Sequence, residues 1–302
     1  NPTAANTGFK PAIRAVPAHV MRVLVAEDNE VNQQVILGML KNLGHRVAVV
    51  GDGRSAVNRA IAEDFDIVLM DIHMPELDGI GAMKEIRAHL LGGKCPPIAA
   101  MTAHALPGDR EHYLAVGMDD YIAKPVRPAE LSELLERVMN NTHPGADGGH
   151  GMNDIPPVAT VKTGSPGPQE SARILDYEQL EDLRGLPAMP GEETDPDDPV
   201  GGLIRLFQHK TAERMQQMVS LHSGGDWKAL AETAHSLRGA AASMGFVQVA
   251  ARCKDLELAA RRAAEKDSSV ASEESAKLKS LLVQIEDNYH EATIALDRWI
   301  AR

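Results

Sequence analysis

DIVLMDIHMPELDG, Asp66–Gly79, is the stretch that decides how this chain folds. Its apolar run Asp66–Met70 lacks helical spacing and leads into a carboxylate, Asp71, so it reads as a buried strand with an acid just past its carboxyl end. Four more runs have the same character: Arg22–Ala26 (RVLVA), Arg46–Val50 (RVAVV), Pro97–Met101 (PIAAM) and Tyr121–Ala123 (YIA). Segments of helical period lie between them, as with Val31, Val35, Met39 and Leu43, and a last one follows with Leu131, Leu134, Leu135 and Val138. The order is five βα units. Near-continuous apolar strands alternating with helices imply a doubly wound five-stranded parallel sheet, because parallel neighbours need a crossover that a helix supplies.

In such an open sheet, ligands gather outside the carboxyl ends of the strands. The polar residues expected there are Glu27 and Asp28 after the first strand, Asp71 after the third, Thr102 after the fourth and Lys124 after the fifth. Three carboxylates packed together repel one another unless they share a cation, and an all-oxygen set with few protein ligands suits Mg²⁺. Lys124 and Thr102 then complete a cradle for an anion.

These residues resemble the receiver domain of two-component response regulators, a flavodoxin-like fold, over about Met21–Asn140. The likeness rests on VLVAEDNEVN, MDIHMPELDG, MTAHALPGDR and DDYIAKP. It implies that Asp71 accepts a phosphoryl group and that Glu27, Asp28, Asp71 and the backbone carbonyl of His73 hold Mg²⁺. Lys124 would pair with the phosphoryl oxygens, Thr102 would hydrogen-bond one of them, and Tyr121 would follow Thr102 inward. A cis Lys124–Pro125 bond is also implied. His73 and His104 stand two residues past the Asp and the Thr, where they either tune phosphoryl lifetime or simply face solvent.

The character changes after residue 140. Asn141–Ser171 is dominated by Gly, Pro, Asp and Thr and reads as a flexible linker. Beyond it, Gly201–Leu221, Asp226–Met244, Val247–Ala264 and Glu273–Ala301 have long helical patterns, with a shorter one near Tyr177–Leu183. Gly191–Pro199 (GEETDPDDP) is acidic and broken by proline, which predicts a mobile loop. On the helix Asp226–Met244, Leu230, Ala234, Leu237, Ala241 and Met244 make one stripe for the core. At 100° per residue, His235 points away from that stripe with Arg238, Gly239 and Ala242, so its imidazole is predicted to be exposed. Gly239 inside a helix costs roughly 1 kcal/mol against Ala and calls for a packing or access reason.

AHSLRGAAASMG, Ala234–Gly245, with ILDYEQLEDL before it and Cys253 and Leu256-Glu257 after it, resembles the histidine phosphotransfer (HPt) domain over about Ala172–Arg302. That domain is an antiparallel four-helix bundle. The likeness implies that His235 takes a phosphoryl group from an aspartyl phosphate and passes it on, with Arg238 orienting the group and Gly239 leaving room for the partner.

Composition narrows the choices. The 302 residues suit two soluble domains, and 43 acidic against 31 basic residues give a formal charge of −12, which disfavours nucleic acid and anionic membrane as partners. Cys95 and Cys253 have no CxxC or Cys/His spacing, so neither a disulfide framework nor a zinc site is expected. Gly51–Ala56 (GDGRSA) imitates a dinucleotide fingerprint, but it falls after the second strand and leaves Glu27, Asp28 and Lys124 unexplained. Asp147–Gly151 imitates a kinase ATP motif without flanking structure, and no other ATP-binding element is found. His19, His45, His143 and His150 are read as solvated.

The domain plan is therefore a linker over 1–20, a receiver over 21–140, a second linker over 141–171 and a phosphotransfer domain over 172–302. The function expected is a phosphorelay with Mg²⁺, from an upstream histidine kinase core through Asp71 and His235 to a downstream response regulator. The alternative is a docking module indifferent to phosphorylation. The chain, which begins at Asn1, reads as a cytoplasmic piece of a longer hybrid kinase without its ATP-binding core, whose parent could be anchored in the inner membrane.

Overall fold

The computed structural model describes residues 19–91, 94–103, 109–142, 173–187, 200–265 and 271–301. The expectations for Asn1–Ala18, His104, the linker beyond residue 142, Asp147–Gly151 and Gly191–Pro199 concern residues outside these.

Five strands, β1 (Arg22–Ala26), β2 (Arg46–Val50), β3 (Ile67–Asp71), β4 (Ile98–Thr102) and β5 (Asp120–Ala123), form one sheet in the order β2-β1-β3-β4-β5. Every pairing is parallel. Helices α1 (Glu30–Asn42), α2 (Gly53–Ala62), α3 (Gly79–His89), α4 (Asp109–Val116) and α5 (Pro128–Thr142) supply the crossovers and the final cover. β3 and β4 are buried throughout, as their unbroken apolar runs require. Both lie one residue later than the apolar runs indicate, because the ladder continues through the pairs Asp71↔Met101 and Thr102↔Ala123. Asp71 and Thr102 are thus the last residues of their strands. Asp66 precedes β3; its N–H donates to the Arg22 carbonyl at 2.8 Å and its Oδ2 accepts from the Arg22 N–H at 2.7 Å.

The second half contains α6 (Tyr177–Arg184), α7 (Gly201–Gly224), α8 (Trp227–Ser243), α9 (Val247–Glu265) and α10 (Ala271–Ile300). The tight turns Gly225-Asp226 and Met244–Phe246 make α7, α8 and α9 successive antiparallel neighbours, and α10 packs against both α9 and α7. The stripe Leu230, Ala234, Leu237, Ala241 and Met244 is fully buried, as its 4-3-4-3 spacing predicts. Phe207 and Phe246 pack in the bundle centre with ring centroids 4.7 Å apart and planes tilted by 57°.

The two halves are in contact. One face of the sheet, with α1 and α5, belongs to the same buried apolar cluster as the helical bundle, whereas the other face packs with α2 and α3 in a separate cluster. Leu186, just past α6, sits on Gly38 of α1, where an added methyl group would lie 3.2 Å from its Cδ1. Arg127, ahead of α5, pairs with Asp176 at the start of α6 at 3.0 Å. One expectation is overturned here. His45 is buried rather than solvated, because it closes the lower end of β1, where its Nδ1 accepts from the Met21 N–H at 3.3 Å. Burial, followed by the charge of His19, keeps it below the usual imidazole range.

Candidate phosphotransfer site

The ends of β1, β3 and β5 bring Glu27, Asp71 and Lys124 together. The Lys124 ammonium lies 2.6 Å from Glu27 Oε2 and 2.7 Å from Asp71 Oδ2, and all three side chains are nearly inaccessible. Glu27 Oε1 also accepts from Asn32 Nδ2 at 2.9 Å, and Asp71 Oδ1 accepts from the His73 N–H at 3.1 Å. Gly79 has a packing reason: a Cβ there would fall 2.1 Å from the carbonyl oxygen of Asp71. The Lys124–Pro125 peptide is cis.

Glu27, Asp28 and Asp71 can each present a ligand atom such that all three lie within 4.8 Å of one another. Lys124 balances only part of that negative charge. Burial, opposed by Lys124 and reinforced by Asp71, pushes Glu27 up to about 7. Burial and then the charge of Asp71 raise Asp28 as well. Conversely, burial alone would lower Lys124, but Glu27 and Asp71 hold it above the usual lysine range. A crowded all-oxygen set with surplus negative charge fits a hard divalent cation.

Thr102 is fully buried, and its hydroxyl meets the Tyr113 hydroxyl of α4 at 3.0 Å. Tyr121, expected to act with Thr102, is half-buried against the α2–α3 side cluster. Tyr113 was not anticipated from the sequence.

On α8, His235 faces away from the bundle core, as the stripe predicts, but it is not bare. Its side chain is only 19% exposed, because the first domain covers it. The His73 ring lies 5.0 Å from the His235 ring, centroid to centroid, at a tilt of 52°. Beside it, Asn29 Nδ2 donates to the Ser236 carbonyl at 2.8 Å and to its hydroxyl at 3.1 Å. Gly239 lies against the first domain, where a Cβ would meet Asn32 Nδ2 at 3.2 Å.

Beneath the imidazole stands Glu257 of α9, 3% exposed. Its Oε1 lies 3.0 Å from His235 Nδ1 and 2.7 Å from Arg261, and its Oε2 lies 2.8 Å from Arg238. Burial acts to raise this carboxyl, yet the bond to His235 and the charges of His235, Arg238 and Arg261 hold it below the usual range. The Glu257 carboxylate can only accept at His235 Nδ1, which leaves Nε2 as the ring nitrogen not engaged with Glu257. The sequence did carry a signal for Glu257: it is an acid among the inward positions Val249, Cys253, Leu256 and Ala260 of α9.

Comparison with known proteins fits both halves of this arrangement. Residues 23–136 match the model of the response regulator receiver domain and residues 202–291 that of the Hpt domain, so the chain joins a receiver domain to an Hpt domain. A receiver followed by an Hpt domain, with hybrid sensor kinases among the relatives, supports phosphorelay in two-component signalling and does not favour docking without phosphotransfer. The sensory/regulatory protein RpfC of Xanthomonas campestris pv. campestris (strain 8004) is 29% identical over 235 residues, covering 76% of this chain and 29% of that protein. The sensor histidine kinase GacS of Pseudomonas protegens is 29% identical over 239 residues, 78% of this chain and 24% of that protein. A receiver domain from a Pseudomonas aeruginosa PAO1 sensor histidine kinase, crystallised with magnesium in its active-site cleft, is 48% identical. The match covers 40% of this chain and 99% of that one, with a TM-score of 0.37. The chain spans less than a third of the length of these curated relatives. Among the described residues, no helix is long and apolar enough to cross a membrane.

Proposed function

We propose that Asp71 and His235 exchange a phosphoryl group within this chain, as the middle steps of a relay. The observation that carries the reading is the docked pair itself: the receiver's acid pocket faces α8, with the His73 ring against His235. A phosphoryl group enters on an Asp71 carboxylate oxygen from an upstream phosphohistidine. The neutral Nε2 of His235 then attacks phosphorus in line, forming the N–P bond as the bond to the Asp71 oxygen breaks. Lys124 pairs with the carboxylate that is regenerated, and Glu257 stabilises the charge that develops on the imidazole. Thr102 and Arg238 serve the phosphoryl oxygens at either side, Gly239 keeps the approach open and Tyr121 responds to Thr102. Mg²⁺, held by Glu27, Asp28, Asp71 and the His73 carbonyl, would neutralise charge on the transferring group.

The partners proposed are a histidine kinase core upstream, in the same parent chain, and a separate response regulator downstream. The domain boundaries proposed are 21–140 for the receiver and 172–302 for the phosphotransfer domain. The setting proposed is cytoplasmic, with the parent anchored in the inner membrane.

Incubation with acetyl phosphate and Mg²⁺ tests this. Label is expected first on Asp71 and then on His235. Asp71→Asn removes both signals, and His235→Gln leaves Asp71 labelled for longer. Label reaching His235 in the Asp71→Asn chain would overturn the reading.

A further inference from the structure

One charged group at the docking seam has no place in the chemistry above. Arg214 projects from α7 of the phosphotransfer domain and is half-buried, and its Nη1 is buried without a hydrogen-bond partner. One turn earlier on the same helix, Lys210 reaches across to Glu30 of the receiver at 3.2 Å, so this face of α7 lies on the mouth of the acid pocket. Four acids act on Arg214: Asp28, most strongly, then Glu30, Glu213 and Glu27. Lys210 already pairs with Glu30 and Glu213, and Lys124 with Glu27. Asp28 is the one of these four acids without a described ion pair, and the charges of Lys124, His235 and Arg214 act on it.

We propose that Arg214 is a positioning residue that reads charge: it sets how firmly the phosphotransfer domain docks according to the net charge of the pocket around Asp28. This inference rests on the docked relay proposed above and extends it to the timing of release. With no cation, the three carboxylates outweigh Lys124, and the surplus negative charge attracts Arg214. A divalent cation cancels that surplus. Phosphorylation of Asp71 restores about one negative charge, since the phosphoryl group is close to a dianion at neutral pH. Arg214 therefore favours the loaded, phosphorylated receiver over the loaded, unphosphorylated one, and transfer to His235 removes the charge that held the domains together. A guanidinium suits this position because it stays charged when half-buried, unlike an ammonium or an imidazole.

The test is hydrogen–deuterium exchange of the amides at 29–36 in the full chain. Without divalent cations, Arg214→Gln is expected to speed exchange there by about 5–10-fold, and Arg214→Lys, which keeps the charge, by less than about threefold. With saturating Mg²⁺, the ratio of the Arg214→Gln rate to wild type should fall below about twofold, as screening of the one carboxylate requires. When Asp71 is phosphorylated in a His235→Gln background, the ratio should rise again. An Arg214→Gln ratio near one without cation, or a ratio that Mg²⁺ leaves unchanged, overturns the proposal. Charge reversal at the neighbouring pair separates this from failure of the docked geometry. Glu30→Lys and Lys210→Glu should each loosen the seam, and the double swap should restore it. If the double swap restores nothing, the docked relay reading fails instead.

Discussion

The receiver site and the phosphotransfer site solve opposite electrostatic problems. Around Asp71, two further carboxylates compete for one ammonium, and the surplus negative charge drives Glu27 up to about 7. Around His235, one carboxylate is shared by two guanidinium groups and an imidazole, and its pKa is held down. The first site carries surplus negative charge, which fits a hard divalent cation, whereas the second already contains its counter-charges.

Removing Lys124 should break the comparison most severely. Lys124→Gln leaves Glu27 and Asp71 buried and facing each other, a loss of about 3–5 kcal/mol of stability near pH 8. The sign with pH follows from the direction of the shift. Glu27 already lies above its ordinary value of 4.5 when folded, so its ionisation opposes folding as pH rises from there through about 7. Acidification relieves that opposition, and more so without Lys124. Urea unfolding should therefore show a clearly smaller deficit at pH 5.5 than at pH 8. Equal deficits would mean that the pocket is not crowded with charge.

Glu257→Gln is the matching experiment on the other side. Loss of the shared carboxylate should cost about 1–3 kcal/mol at pH 7 and slow transfer from Asp71 to His235 by about 10–100-fold, because the imidazole loses its orienting partner. Here the pH trend reverses. Glu257 is held low when folded, so the stability it contributes is present above its unfolded value of 4.5 and disappears as pH falls through its folded value. Wild type and variant should converge in acid, which a urea series from pH 7 to pH 3 would show. A gap that stays constant over that range would refute the shared-carboxylate account.

How much of this was legible beforehand depends on where the information lies. The strand-tip convergence of Glu27, Asp71 and Lys124 was readable because each residue abuts an apolar run of its own. The one-residue offset at Asp71 and Thr102 was not, because ladder pairing is decided by the neighbouring strand. The outward direction of His235 was readable from the stripe on α8. Its cover was not, since the Asn29–Ser236 and His73–His235 contacts join residues far apart in sequence and no helical wheel contains them. The hydrogen bond between Thr102 and Tyr113 was not readable either, because it depends on how α4 packs.

Asn29 allows the seam to be separated from the helix it begins. Its Oδ1 caps α1 by accepting from the Val31 N–H at 3.0 Å and the Asn32 N–H at 3.4 Å, while its Nδ2 donates across to Ser236. Asn29→Ala should cost about 1–2 kcal/mol, the upper end of a lost N-cap. Asn29→Asp keeps the acceptor and loses the donor. It should unfold within about 0.5 kcal/mol of wild type, since the N-cap preference for Asp matches that for Asn, while amide exchange at the seam rises. If the two variants are equally unstable, the bond to Ser236 rather than the cap is what Asn29 contributes to folding.

The smallest effect expected is at the neutral edge of the receiver site. Thr102 and Tyr113 share one hydrogen bond of 3.0 Å between hydroxyl groups, and neither carries charge. Tyr113→Phe should cost about 1 kcal/mol, the usual net value of such a bond. Thr102→Val in the same background should add less than it does alone, giving a coupling of about 0.5–1.5 kcal/mol in a double-mutant cycle by urea unfolding. Unlike Lys124→Gln, this loss should be the same at pH 5.5 and pH 8, because the pair is joined by a hydroxyl–hydroxyl hydrogen bond rather than by an ion pair. A deficit that changes over that range would tie the Thr102–Tyr113 bond to the charges around Asp71, and the receiver site would then respond as one unit rather than as a charged centre with a neutral rim.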